Sequence, residues 1–366
     1  MKEFLNHYKV KLTVRGPVFV GNGREYSKKE YLFLPGKRVG IIDMQKMYRV
    51  LAAKGRIKQF EDFMLSNYAD LGHWLEKERL KADIERQCLA YTLDYGDTVL
   101  ERGRRTQIMA CMKDPLGSPY IPGSTLKGMF RSILATNRIL HDDKLRDEMR
   151  QEVERELPQG RSKKQYLSRT IKKIESRIFC SLNREHTREE DAVNDVLSGL
   201  VVSDSELIGR EQLVLAQKVE RRIDGTEKSL NLLRESLCPG TEIKFSLTID
   251  QSLCKLNRDD ILKAITCFDE AYSENFLAAY KGIDRLSPPQ VYIGGGAGFL
   301  SKTIVYPLMG KKAGVETTVE IFDKTRVPLQ HKHREDRRLG VSPHIIKCAH
   351  YRGQTLQMGL CDVEIE

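Results

Sequence analysis

Pro119-Tyr120-Ile121-Pro122-Gly123-Ser124-Thr125-Leu126-Lys127-Gly128 joins an apolar run to a helical pattern, and its reading decides the fold. Residues 106–112 read as a strand, Asp114-Pro115-Leu116-Gly117 as a turn, and 124–140 as a helix. A strand end, a Pro-Gly turn and the free N–H groups of a helix N-terminus together can hold an anion. Ser124 is placed to cap that helix. Lys127 and Arg131 lie four residues apart, so they share one helix face and can reach one backbone track. An ordinary strand–turn–helix junction would look the same, so the segment alone leaves its function open.

A second glycine-rich stretch lies far along the chain: Val291-Tyr292-Ile293-Gly294-Gly295-Gly296-Ala297-Gly298-Phe299-Leu300-Ser301-Lys302. Glycine lets a backbone approach a bulky anion and adopt positive φ, and successive N–H groups form anion-binding concavities. From Gly296 to Thr303 the spelling is one residue from a phosphate-binding nucleotide loop, which would need glycine at position 301. No aspartate-bearing metal strand accompanies it. Four glycines with Phe299 and Lys302 better suit a phosphodiester backbone with a stacking ring nearby. A basic hairpin, 218–226, offers Arg221 and Arg222 at its tip; it reads equally as a wedge between bases or as a soluble turn.

Bulk properties agree with a polyanionic partner. The chain has 366 residues and a net charge of +10, with 40% hydrophobic and 31% charged residues. That fits a soluble globular protein large enough for two lobes. A basic balance speaks to association, not to fold, and a solvated basic surface has the same charge. The N-terminal residues lack a signal-peptide core and no apolar run approaches a membrane span, so the expectation is a cytoplasmic protein. Eight scattered cysteines without a CxxC pair read as reduced thiols. His344, Cys348, His350 and Cys361 are zinc-ligand types, but their spacing matches no standard finger and core cysteines explain them as well. The reading therefore carries no metal and no cofactor.

Along the chain, Tyr8, Val10, Leu12 and Val14 alternate with polar residues as in a half-buried strand. Gly21-Asn22-Gly23 reads as a tight turn. Strands at 31–34 and 39–42 precede a helical stretch capped by Asp43 that continues, with breaks, to about residue 91 and holds Trp74. Highly charged helical sequence fills 142–198; within it, 161–173 carries six basic residues on a solvated face or an RNA contact. The second half is strand-rich: 200–203, 213–219, 230–237 and 243–249. Asn257 caps a helix to about 280, a helical patch covers 314–323, and a terminal strand spans 355–365. The class is α+β with two ferredoxin-like lobes, 1–199 carrying helical insertions at about 44–91 and 142–198, and 200–366 carrying a hairpin at about 213–237 and the 294–302 loop. For catalysis the chain offers little. No Ser/His/Asp spacing, HExxH or paired-carboxylate motif stands out, and His331 and His333 sit in a loop rich in arginine and lysine.

Taken together, the segments resemble the RAMP superfamily of CRISPR proteins. The matching residues are Pro17-Val18-Phe19-Val20-Gly21-Asn22-Gly23, Lys113-Asp114-Pro115 through Arg131, Val202-Ser203-Asp204-Ser205, Pro239-Gly240-Thr241, and Gly294 through Thr303. The pairing of Ile-Pro-Gly-Ser with Gly-Gly-Gly-Ala-Gly-Phe is similar, more narrowly, to the subunit at the guide RNA's 3′ end in the type III-A (Csm) effector complex. The resemblance implies RRM-like lobes that bind guide RNA (crRNA) through Gly21, Gly23, Gly123, Ser124, Lys127, Arg131, Gly294, Gly295, Gly296, Gly298, Phe299 and Lys302, with Arg221 and Arg222 in a thumb. It also implies contact with a backbone RAMP subunit and other Csm subunits, and a role in maturing the guide's 3′ end, with a host nuclease as a possible trimming partner. Two departures count. Phe19 stands where RAMP proteins often have histidine, and 102–113, with Arg104 and Arg105, holds no acidic residue where the target-cutting relative has its aspartate. A basic loop can hold RNA but supplies no carboxylate, so the expectation is a non-catalytic subunit. The alternative is a metal-independent endoribonuclease using His7, His331, His333 or His350.

Overall fold

The computed structural model describes residues 4–66, 70–98, 107–158, 166–283, 285–325 and 333–366. The chain opens with strands β1 (Leu5–Val14), β2 (Gly21–Tyr26), β3 (Tyr31–Leu34) and β4 (Arg38–Ile42). Helices α1 (Met44–Ala53), α2 (Ile57–Leu65), α3 (Leu71–Lys77) and α4 (Lys81–Gln87) lead to β5 (Leu89–Asp94) and β6 (Ile108–Cys111). Three longer helices follow: α5 (Gly123–Leu140), α6 (Asp143–Glu156) and α7 (Ser168–Phe179). The second half holds β7 (Leu200–Val202), β8 (Leu213–Arg222), β9 (Glu227–Leu237), β10 (Glu242–Asp250), α8 (Arg258–Asn275) and β11 (Gln290–Tyr292). It closes with α9 (Val305–Lys324), α10 (Asp336–Leu339), β12 (Ile345–Tyr351), β13 (Gln354–Gln357) and β14 (Leu360–Ile365).

Two sheets organise this α+β fold. The first has the order β11-β14-β1-β10-β7, with every neighbour antiparallel. Taking β1, α5, β7, β10, α8 and β14 in turn gives the ferredoxin-like βαββαβ path, with β11 added at the edge. The alternation in β1 does what its sequence dictates. Val10, Leu12 and Val14 are buried with Ile243, Phe245 and Leu247, while Lys11 on the other face pairs with Glu364 at 2.9 Å. Helices α5 and α8 cover the buried face with Leu126, Phe130, Ile133, Ile261 and Ile265.

The second sheet has nine strands, β2-β6-β9-β8-β5-β4-β3, with β12 and β13 added beside β8. Its hairpin β8–β9 is the segment expected as a thumb. Leu213 to Val219 is buried, so the hairpin is the spine of a sheet and only its tip, around 222–229, is largely exposed. Both sheets draw strands from either side of residue 199: β1 pairs with β10 and β14, and β6 with β9. The sheets therefore do not divide where the sequence suggested a lobe boundary.

Several local expectations are corrected. Gly21-Asn22-Gly23 opens a strand instead of forming a tight turn, with Gly23 at φ +86° beside a register shift. The 314–323 helix begins earlier, at Val305, and is broken at Gly310 (φ 74°, ψ 171°). The expected single terminal strand is cut by Gly359 (φ +79°), which sends β13 and β14 to different sheets. Asp43 caps α1 as expected, accepting from the Gln45 and Lys46 amides. Among the described residues no helix is long and apolar enough to cross a membrane.

Candidate nucleic-acid interface

At the start of α5 the structure has already put an anion where an anion was expected. The Gly123 amide donates to Asp204 Oδ1 at 2.8 Å, and the Ile121 amide donates to Ser205 Oγ at 2.9 Å. The 202–205 segment thus lies against the turn, and a Cβ on Gly123 would sit 2.4 Å from the Ser203 carbonyl oxygen. Gly123 is needed for this close approach, and its N–H is taken. Ser124 does not cap the helix: Pro122 is the N-cap residue, and no side chain bonds from that position. Ser124 is exposed instead, one turn from Lys127 and Gly128.

Lys127 and Arg131 do share a face, yet their circumstances differ. Arg131 donates to Asp195 Oδ2 at 2.6 Å and lies 4.3 Å over the Phe179 ring, so it is committed internally. Lys127 makes no ion pair with any described residue. Burial, foremost, and the neighbouring Arg131 pull its ammonium below the ordinary lysine value, against the opposing pull of Asp195. A half-buried cation without a partner favours an incoming anion.

The second glycine stretch follows β11 and meets the 17–23 segment. The Gly295 amide donates to the Phe19 carbonyl at 2.6 Å, joining the 294–298 loop to the segment that leads into Gly21. Gly294 (φ +81°) has its would-be Cβ 2.3 Å from the same carbonyl oxygen, so glycine is required on two counts. Gly296 and Gly298 also have positive φ, and Gly298 faces open space. Lys302 turns back: its ammonium donates to the Gly294 carbonyl and braces the loop from within. Burial and the nearby Arg234 lower its pKa. Phe299 packs on Phe322 with ring centroids 5.2 Å apart, so it is partly used as a wall.

Two cavities flank Phe299. One of about 360 Å³ runs between α5 and the loop and is lined by Arg131, Ile174, Phe299, Lys302 and Leu308. The other, about 440 Å³, is lined by Gly296, Gly298, Phe299, Lys218, Glu220, Arg234 and Lys347. Lys218 is paired with Glu220 at 2.8 Å. Arg234 and Lys347 make no ion pair with a described residue, and Arg234 Nε is buried without a hydrogen-bond partner. Burial lowers the Arg234 pKa, and burial with the adjacent Lys218 brings Lys347 down to about 8. This concentration of cations behind a glycine loop was not visible in the sequence. Arg234 and Lys347 sit singly in strands, and only the β9–β8–β12 pairing brings them together.

The remaining expected residues scatter. Arg221 donates to the Lys281 carbonyl at 2.9 Å and faces Glu227, while Arg222 is exposed at the hairpin tip. Arg104, Arg105 and His331 lie outside the described residues. His7 bonds to Thr248 on the first sheet, and His350 to Glu227 on the second. A buried group that sequence reading missed stands just before the first turn. Glu235, fully buried, accepts from the Lys113 ammonium, the Tyr91 hydroxyl and the Cys111 amide. That network locks β5, β6 and β9 together at the base of the Asp114-Pro115 turn.

A ferredoxin-like sheet with glycine loops, packed on a second mixed sheet, defines a RAMP-type protein. The RAMP superfamily profile matches residues 11–328, and the chain belongs to that superfamily. Within it the chain falls among the Csm5 proteins. The CRISPR system Cms protein Csm5 of Mycobacterium tuberculosis (strain H37Rv) is 31% identical over 395 aligned residues, covering 100% of this chain and 99% of the relative. The Streptococcus thermophilus protein of the same name is 26% identical over 322 residues, covering 83% and 82%. A chain of the cryo-EM structure of a Csm–crRNA–target RNA ternary complex in a type III-A CRISPR-Cas system superposes with a TM-score of 0.66, covering 98% of this chain and 100% of that one. The crystal structure of T. onnurineus Csm5 gives 0.62, covering 96% and 99%. Both are 18% identical and share the fold.

Proposed function

We propose that this chain is the guide-RNA-binding subunit at the 3′ end of a type III-A CRISPR effector complex, and that it holds the guide without cutting it. One observation carries the RNA-binding part. Arg234 and Lys347 are half-buried cations without ion-pair partners, and they line the 440 Å³ cavity together with a loop of positive-φ glycines, Arg234 lying directly against Gly296. Such an arrangement favours an incoming phosphate, because burial has stripped water from both cations and the carboxylate in the lining, Glu220, is already paired with Lys218. Lys127, without an ion pair to any described residue, and the exposed Arg222 are further basic contacts outside that cavity. Membership among the Csm5 proteins supports assembly with crRNA and other Csm subunits; a cytoplasmic setting, contact with a backbone RAMP subunit and a part in 3′-end maturation belong to the same proposal.

Binding of a guide-length single-stranded RNA to the full chain tests this reading. Affinity should fall steeply with salt, since phosphate contacts release counterions. Lys127→Ala and Lys347→Met should each weaken binding roughly three- to tenfold and reduce the salt slope by about 1, with little change in sequence preference. If both variants bound like the wild type at every salt concentration, the assignment would be lost. Precursor RNA should stay intact over the same incubation, with and without chelator. Cleavage abolished by His333→Ala or His350→Ala would replace the scaffold reading with an endoribonuclease.

A further inference from the structure

We propose that His333, Asp336 and His344 form a binding site for a divalent transition-metal ion, zinc by preference. The three residues come from one short stretch: His333 precedes α10, Asp336 is its first residue, and His344 leads into β12. Their donor atoms converge within 4.8 Å of one another. His344 Nδ1 lies 2.5 Å from Asp336 Oδ1, and His333 Nδ1 lies 3.3 Å from both Asp336 Oδ2 and His344 Nδ1. A tetrahedral zinc with ligand bonds of about 2.0–2.1 Å keeps its donors roughly 3.3 Å apart, which is the spacing of His333 Nδ1 from Asp336 Oδ2 and from His344 Nδ1; the closer His344–Asp336 Oδ1 contact is a hydrogen bond that has to open for the ion.

Hydrogen bonding explains the cluster less well. Two imidazoles turn the same kind of nitrogen, Nδ1, toward each other and toward one carboxylate. Asp336 is wholly buried, yet its Oδ2 accepts no well-directed hydrogen bond from any described residue. A cation shared by the two nitrogen lone pairs and the carboxylate satisfies all three at once. Two imidazoles and one carboxylate suit zinc or a neighbouring first-row ion better than magnesium or calcium, which prefer oxygen. The frame around the cluster is set independently of any ion. The Tyr280 hydroxyl donates to the Pro343 carbonyl at 2.6 Å, the Ser342 amide donates to the Tyr306 hydroxyl at 2.9 Å, and the His333 ring packs 4.8 Å from Phe322. Cys348, the buried thiol near His344 in sequence, is not part of the cluster. An ion here would pin the 333–344 segment as one wall of the cationic cavity, which His333 lines.

The test uses untagged full-length protein, stripped with a chelator and titrated with zinc chloride or cobalt(II) chloride. One equivalent of zinc should remain after gel filtration, cobalt should give tetrahedral visible absorption, and zinc should raise the melting temperature. His344→Ala and Asp336→Asn should weaken uptake at least tenfold, whereas His350→Ala and Cys348→Ser should leave it unchanged. Asp336 is buried and its replacement can cost folding, so His333→Ala, at a half-buried position, provides an independent variant; each is checked for a native circular dichroism spectrum. No stoichiometric uptake by the wild type would overturn the proposal. So would folded site variants that bind zinc as tightly as the wild type, or uptake lost only with the cysteine.

Discussion

Lys347 gives the residue scale its sharpest electrostatic consequence. An unfolded lysine titrates near 10.5, and burial beside Lys218 brings this one to about 8. Between those values the unfolded chain binds more protons than the folded one, so stability rises with pH across that interval. Below pH 8 both states are protonated and the full destabilisation, on the order of 3 kcal/mol, is present. Lys347→Met should therefore be more stable than the wild type at neutral pH, and the advantage should shrink as pH approaches 10.5. Urea unfolding of the two proteins at several pH values measures this; a constant difference would show that the lysine titrates normally. RNA binding should move the opposite way, weakening as pH rises through 8, because a phosphate requires the ammonium form. Nothing in the sequence marked this lysine, or Arg234 and Glu235. Their burial depends on which strands become neighbours. Lys127 and Arg131 were legible because helical spacing alone puts them on one face, but not that Asp195 would engage one of them.

At the scale of elements, the second glycine segment separates conformational need from steric need. Gly298→Ala meets open space and bears only the left-handed backbone penalty, about 1–2 kcal/mol. Gly294→Ala adds a collision with the Phe19 carbonyl, so it should cost roughly 3 kcal/mol or more and disturb the contact between the 294–298 loop and the 17–23 segment. Thermal unfolding of both variants checks the order; equal losses would mean the loop yields freely at Gly294. Asp204→Ala should cost about 1 kcal/mol by uncapping α5, while Ser124→Ala should cost nearly nothing. The strand–turn–helix junction itself was legible, as were β1, β8, β10 and the Asn257 cap of α8, because alternation and capping are local signals. The cap of α5 was not, since its carboxylate arrives from 81 residues away. Strand β12 and the first half of α9 escaped for the same kind of reason. The first is a strand because β8 and β13 flank it, and the second lies beyond a glycine that breaks the helix.

Across the whole molecule, local and distant pairing divide the labour. The first sheet is complete only when β14, at the C-terminal end, docks beside β1. The first helical insertion needs no such closure: Leu51, Phe60, Phe63, Leu71, Trp74, Leu75 and Ile84 form a core with Leu32 of β3 and Ile42 of β4, separate from the larger one between the sheets and their helices. Phe63 stacks on Trp74 with ring centroids 4.8 Å apart and is almost fully buried. Trp74 is the only tryptophan, so its fluorescence reports on this insertion alone. Phe63→Ala removes a buried ring and its stacking partner's contact, a change worth about 3–5 kcal/mol. If the insertion is an independent cooperative unit, denaturant should shift the fluorescence transition by that amount while far-ultraviolet circular dichroism keeps a second, unshifted transition, and RNA affinity should stay within about twofold of wild type. Superimposed transitions that move together would show instead that the insertion and the paired sheets unfold as one body, with the guide-binding loops depending on both.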